Sequence, residues 1–242
     1  MFRHFSVKSL RPTIAWEYFF HAWDVVDKAE EQEALRHEAE RLLDDTEFVV
    51  EALTVDFPAR GDGDDIVVRH VRGCPCCGGD KPETRLAMLR QQSGRPPYLS
   101  LSDFVNPAGD SITLYATVCH VPALATTDDP YRRLLLQTLA DRLAEAASEV
   151  VCSDGLGYAI GYPSLPDQSL IFNIAHLLPF PSLGIRLTST GMMRPHASVA
   201  GILIHHPAAR YFAVGPIGEE QLQDYARRRG VPPDMLRPFL RM

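Results

Sequence analysis

Nothing in the sequence reads as a membrane span, a secretion signal or a nucleotide fingerprint. No apolar run approaches the roughly 18 residues needed to cross a bilayer. The opening residues, MFRHFSVKSL, have no signal-peptide apolar core, so the expectation is a soluble, cytoplasmic protein. Basic residues are in deficit: 24 Lys and Arg against 31 Asp and Glu leave a net charge of −7. A nucleic-acid binder normally carries a basic stripe, and none is present. GxGxxG, GxxxxGK[ST], HExxH and GxSxG are all missing, so no dinucleotide, P-loop, zinc-protease or serine-hydrolase signature guides the reading. The five cysteines are odd in number, and three crowd into Cys74-Pro75-Cys76-Cys77, too close for a disulfide framework. In a reducing compartment such a cluster reads as free thiols or metal ligands.

What is present is globular material. Hydrophobic residues make up 45% of the 242, enough to bury a core and to rule out disorder of the whole chain. No solenoid repeat and no Gly-, Ser- or Pro-rich linker divides the chain, so residues 1–242 are expected to form one domain. Strong helix formers predict a helix from Ala29 to Leu53, with Leu35, Leu42, Leu43 and Val49 near one face. Residues 56–65 (DFPARGDGDD) read as a turn, 66–71 as a strand, 83–92 as a short helix and 111–121 as a central strand. The clearest helix spans Asp128 to Val151, opened by Asp129-Pro130, with Leu135, Leu139, Leu143, Ala146 and Val150 recurring on one apolar face. Residues 183–187, 197–206 and 210–215 read as strands. A closing helix over 218–229 stops at Gly230. Strands and helices mix without βαβ alternation, which predicts an α+β fold with a largely antiparallel sheet.

Four motifs carry possible chemistry. Gly61–Asp65 is oxygen-rich but lacks calcium-loop spacing and reads as a solvated turn. Cys74 to Gly78 has the C-P-x-C-G shape of one zinc-ribbon knuckle, and Cys74, Cys76 and Cys77 are candidate zinc ligands. A structural site needs four ligands; Cys119-His120 or Cys152 would complete it only if the fold brought them close, and reactive metal-free thiols are the other reading. Asp141 and Glu145 share a helix face at a spacing where like charges repel, unless a ligand or cation covers them. Leu156–Pro163 (LGYAIGYP) sets glycines beside tyrosines, which suits close ligand approach and stacking, or a plain turn.

Together these segments resemble the C-terminal activation domain of cobalamin-dependent methionine synthase. TLADRLAEAASE (Thr138–Glu149) is similar to that domain's long helix, and GYPSLPDQ (Gly161–Gln168) to its glycine-tyrosine-proline loop. MRPHASVAG (Met193–Gly201), HPAARYFAVGPI (His206–Ile217) and QLQDYARRRG (Gln221–Gly230) follow in the family's order. Upstream, Leu10–Trp23, Phe57–Ile66, Leu89–Gln92 and Leu101–Val105 also fit, so the resemblance spans almost the whole chain.

The resemblance implies a C-shaped α+β domain with a bent, mainly antiparallel sheet flanked by helices. It implies a repair role in methionine biosynthesis, as a stand-alone component of a methyltransferase system. The domain would bind S-adenosylmethionine and offer its methyl group to inactive cob(II)alamin on a separate methionine synthase chain, while a flavodoxin-like protein supplies an electron. The ligand-binding residues it implies are Glu145, Gly161, Tyr162, Pro163, Tyr211 and Phe212. The chain departs from the family pattern at Gly157, where an arginine stands, at Ala15 for an aspartate and at Gln168 for a histidine, and a stretch ahead of the glycine-tyrosine-proline loop is missing. Losing a guanidinium on a ligand carboxylate costs on the order of 1.5–3 kcal/mol. The alternative is therefore a fold relative that no longer binds S-adenosylmethionine and docks on a corrinoid protein as a redox partner through its CPCC cluster.

Overall fold

The architecture grows from one long strand. In the computed structural model, which describes residues 1–70 and 83–240, Val49–Asp62 forms a 14-residue strand, β2. One edge of β2 is shared between two partners: β1 (Phe2–Phe5) pairs with residues 50–53, and β3 (Asp65–Arg69) pairs with residues 59–62. Its other edge carries β5 (Asp110–His120), in register from Val49 opposite His120 to Ala59 opposite Asp110. β4 (Glu83–Ala87) lies outside β3, while β9 (Ser198–Ile204) and then β6 (Leu156–Ala159) extend the sheet beyond β5. A two-stranded ribbon joins β7 (Arg186–Leu187) to β8 (Met193–Arg194). Every pairing among the described residues is antiparallel, as expected from the absence of βαβ alternation.

Helices cover both faces. α1 (Val7–Leu10), α2 (Trp16–Ala22) and α3 (Ala29–Asp45) gather on α4 (Pro130–Val151) around Leu10, Phe19, Leu35, Leu42, Leu135 and Leu139. The opposite core holds Phe57, Ile66, Leu86, Ile112 and Ile202 against α5 (Leu170–Leu177). Each such side chain contributes about 1.5–3 kcal/mol when fully buried. α6 (Glu219–Arg229) closes a third cluster with Ala87, Leu89 and Val214, and α7 (Pro233–Leu236) follows it. No described helix is long and apolar enough to cross a membrane.

α4 and α6 match expectation, with Asp129 capping α4 through its carboxylate on the Tyr131 amide (3.0 Å) and Gly230 ending α6. Elsewhere the structure corrects the sequence reading. The helix begun at Ala29 stops at Asp45, because from Val49 the burial period changes from helical to alternating and Val49 itself opens β2. Residues 56–62 belong to that strand, and the turn contracts to Gly63-Asp64 between paired Asp62 and Asp65. Residues 83–87 form β4 rather than a helix. Pairing with β3, and the Arg60–Glu83 and Arg85–Asp62 ion pairs across strands, override local helix propensity. Residues 210–215 form no strand and 183–187 pair only at Arg186–Leu187, whereas β6 and α5 lie in a stretch that reads as loop.

Candidate functional site

A cleft of ≈780 Å³ opens between one face of α4, the strand and loop of residues 157–164, and the Tyr211-Phe212 segment. Helical spacing puts Arg142, Glu145, Glu149 and Cys152 on the α4 wall. Arg142 grips Glu145 with both terminal nitrogens, Nη1 to Oε2 at 2.9 Å and Nη2 to Oε1 at 3.0 Å. The Tyr162 hydroxyl donates to Glu145 Oε1 at 3.1 Å from the far side of the cleft. Burial and the adjacent Glu145 carboxylate push the Tyr162 hydroxyl up to about 12. Glu149, one turn along, makes no hydrogen bond or ion pair with a described residue, and burial with the nearby Glu145 raises its carboxyl above the usual range.

The loop that carries Tyr162 is set by its own backbone and braced from behind. Gly161 adopts φ 86°, a left-handed conformation that favours glycine, and its amide donates to Leu165 at 2.8 Å. Phe212 donates its amide to Ser164 Oγ at 3.1 Å, the Ser164 hydroxyl donates back to the Phe212 carbonyl, and the Val214 amide donates to Pro163 at 2.9 Å. Behind the loop, buried Asp167 accepts from the Tyr225 hydroxyl at 2.6 Å and from Arg229 Nη1 at 2.5 Å, both on α6. Tyr211 donates its hydroxyl to the Gly157 carbonyl at 2.6 Å and meets the Tyr158 ring edge-on at 5.5 Å.

Five of the six residues singled out for binding thus line one cleft: Glu145, Tyr162, Pro163, Tyr211 and Phe212. Gly161 shapes the turn and faces the neighbouring groove with Gln168, whose side chain lies behind the loop. Ala15 caps the start of α2 and is not on the cleft wall. Asp141 is not on the wall of this cleft; it meets His196 at 3.1 Å in a smaller adjoining groove that also touches Arg142, Glu145 and Tyr162. Tyr18, Tyr115, Arg142, Glu149 and Cys152 also line the cleft. Extending the Asp141/Glu145 helical face by spacing would have found Arg142, Glu149 and Cys152; Tyr115 and Tyr18 come from distant elements and carry no local signal.

Gly157, where the resemblance implies an arginine, is tightly surrounded. A Cβ there would stand 2.4 Å from Cys152 Sγ and 3.4 Å from the Tyr115 hydroxyl. Burial and Asp154 push the Cys152 thiol up to about 12, partly opposed by its hydrogen bond with Tyr115. Tyr115 is buried, and its hydroxyl is raised well above its ordinary value. No three His, Cys, Asp or Glu side chains among the described residues converge as a metal site. Cys74, Cys76 and Cys77 lie outside the described residues.

An antiparallel sheet walled by helices, with a tyrosine-rich cleft along its longest one, defines an α+β binding domain. The vitamin B12 dependent methionine synthase activation domain pattern matches residues 6–155 and 152–230, and the chain belongs to that family. The two matches meet at residues 152–155, directly before β6. Among solved structures, a crystal structure of the MetH reactivation domain bound to AdoHcy is similar at 26% identity and a TM-score of 0.84, over 99% of this chain and 88% of that one.

Proposed function

We propose that the protein is a reactivation component of cobalamin-dependent methionine synthase, binding S-adenosylmethionine in the cleft and acting on cobalamin carried outside these 242 residues. The observation that carries this reading is the convergence of Glu145, Tyr162, Pro163, Tyr211 and Phe212 on one cleft of ligand size in a chain of this family. The similar reactivation domain holds AdoHcy, which is S-adenosylmethionine without its methyl group, and this supports the choice of ligand. When bound, S-adenosylmethionine supplies an electrophilic methyl group; a flavodoxin-like donor supplies the electron. The protein's own part is positioning. Glu145, held by Arg142, fixes the Tyr162 hydroxyl; Gly161 and Pro163 set the loop; Tyr211 and Phe212 close the opposite wall.

A partner that binds both states of cobalamin equally cannot shift the balance between them. The protein is therefore expected to associate preferentially with cob(II)alamin-bearing methionine synthase in the cytosol. Size-exclusion chromatography against the synthase with its cobalamin oxidised or methylated tests this, and equal association with both states argues against repair. The crowding at Gly157 favours a second reading, a corrinoid-docking or redox partner that uses Cys74, Cys76 and Cys77, with or without zinc. Such a protein would associate with the synthase without responding to S-adenosylmethionine, and metal analysis of protein purified without chelators tests the zinc.

A further inference from the structure

The charged side chains lining the cleft are Arg142, Glu145 and Glu149. Arg142 and Glu145 neutralise each other through paired contacts at 2.9 and 3.0 Å, and the second acceptor site on Glu145 Oε1 is taken by Tyr162. One guanidinium against two carboxylates leaves the lining one negative charge in excess, and that charge sits on Glu149. Among the described residues no uncommitted cation lines the walls, and the spot where a guanidinium would project, Gly157, is filled by Cys152 and Tyr115. The remaining lining is rich in aromatic rings: Tyr162 and Tyr211 are exposed, while the Tyr18 ring is already faced by the Arg142 guanidinium at 6.0 Å. Tyrosine faces attract cations, and a carboxylate without a partner does the same.

We propose that the cleft selects its ligand by positive charge, with Glu149 as the specificity-determining residue that favours a sulfonium over the neutral thioether left when the methyl group departs. This rests on S-adenosylmethionine being the ligand and adds a direction to it. S-adenosylmethionine carries one net positive charge, whereas S-adenosylhomocysteine is a neutral zwitterion. A cleft with one excess negative charge therefore holds the methyl donor and lets the demethylated product leave. The same charge balance explains how binding survives at Gly157: attraction at the sulfonium end replaces a grip on the carboxylate.

The test is isothermal titration of the protein and of Glu149→Gln with three ligands: S-adenosylmethionine, S-adenosylhomocysteine and sinefungin, which carries an ammonium-bearing carbon in place of the sulfonium. The wild type is expected to bind both cationic ligands about tenfold more tightly than S-adenosylhomocysteine, the scale of a cation–π contact combined with a partly exposed charge pair. Glu149→Gln is expected to remove most of that gap by weakening the cationic ligands while leaving S-adenosylhomocysteine unchanged. Glu149 is on the helix surface, so the isosteric variant keeps the fold. Equal affinity of the wild type for the three ligands, or a gap untouched by Glu149→Gln, overturns the selection while leaving the cleft an adenosyl-ligand site. Failure of all three to bind removes the ligand assignment and the selection together.

Discussion

Behind the Gly161–Gln168 loop, Asp167 is wholly buried, yet Tyr225, Arg229 and the Ser169 amide all donate to it, and Arg229 reaches on to Asn173 at 3.0 Å. In front of the same loop, Glu149 has no hydrogen-bond or ion-pair partner among the described residues, Tyr162 and Tyr211 are 50% and 67% exposed, and the Arg142–Glu145 pair lines the cleft. The two regions lie a few residues apart and use the same kinds of side chain. The rear network compensates each charge at once and so locks α6 to the loop. The front leaves charge and aromatic surface uncommitted on a rigid frame, which is how a binding site differs from a structural ion pair.

Breaking the rear network should have the largest effect. Asp167→Ala leaves Arg229 without its counter-charge and the Tyr225 O–H without an acceptor in the interior, with only the Arg229 Nη1 donation to the Tyr225 oxygen at 3.1 Å remaining between them, and should cost about 3–5 kcal/mol of stability in urea unfolding. A loss below about 1 kcal/mol would mean that the network is not holding the loop. At the front, Gly157→Arg tests whether the family's guanidinium can be restored. Its Cβ must displace Cys152, so the variant should lose about 1–3 kcal/mol by overpacking and should not bind S-adenosylmethionine more tightly. Tighter binding at unchanged stability would show that the thiol yields freely.

The smallest effect concerns reactivity. The thiolate is the reactive form, and with its thiol pushed up to about 12, Cys152 should label slowly with a thiol reagent at neutral pH although it borders an open cleft. Rapid modification mapped to Cys152 by mass spectrometry would contradict the burial and the nearby Asp154 carboxylate that hold it protonated.

Sequence patterning made parts of this comparison visible and hid others. The α4 wall was legible because Leu135, Leu139 and Leu143 mark the buried face and so fix where Glu145 points. The antiparallel sheet followed from the lack of βαβ alternation. β4 was misread because Leu86, Ala87, Met88 and Leu89 favour helix locally, while its ladder with β3 is a tertiary fact. The Asp167–Arg229 pair spans 62 positions, and the crowding of Gly157 by Tyr115 and Cys152 depends on where β5 and α4 meet β6. Neither has a local signature. The resemblance marked Gly157 as a missing arginine, and only packing explains why an arginine no longer fits there.

Titration of S-adenosylmethionine into the wild-type protein and into Tyr162→Ala tests the central claim most directly. Tyr162 is half exposed and, among the described residues, its hydroxyl bonds only Glu145, so its removal should leave unfolding stability within about 1 kcal/mol. The expected result is measurable heat and thermal stabilisation for the wild type, and neither for Tyr162→Ala at the same ligand concentration. Absence of heat from the wild type at millimolar ligand, or undiminished binding by Tyr162→Ala, would contradict the assignment of this cleft.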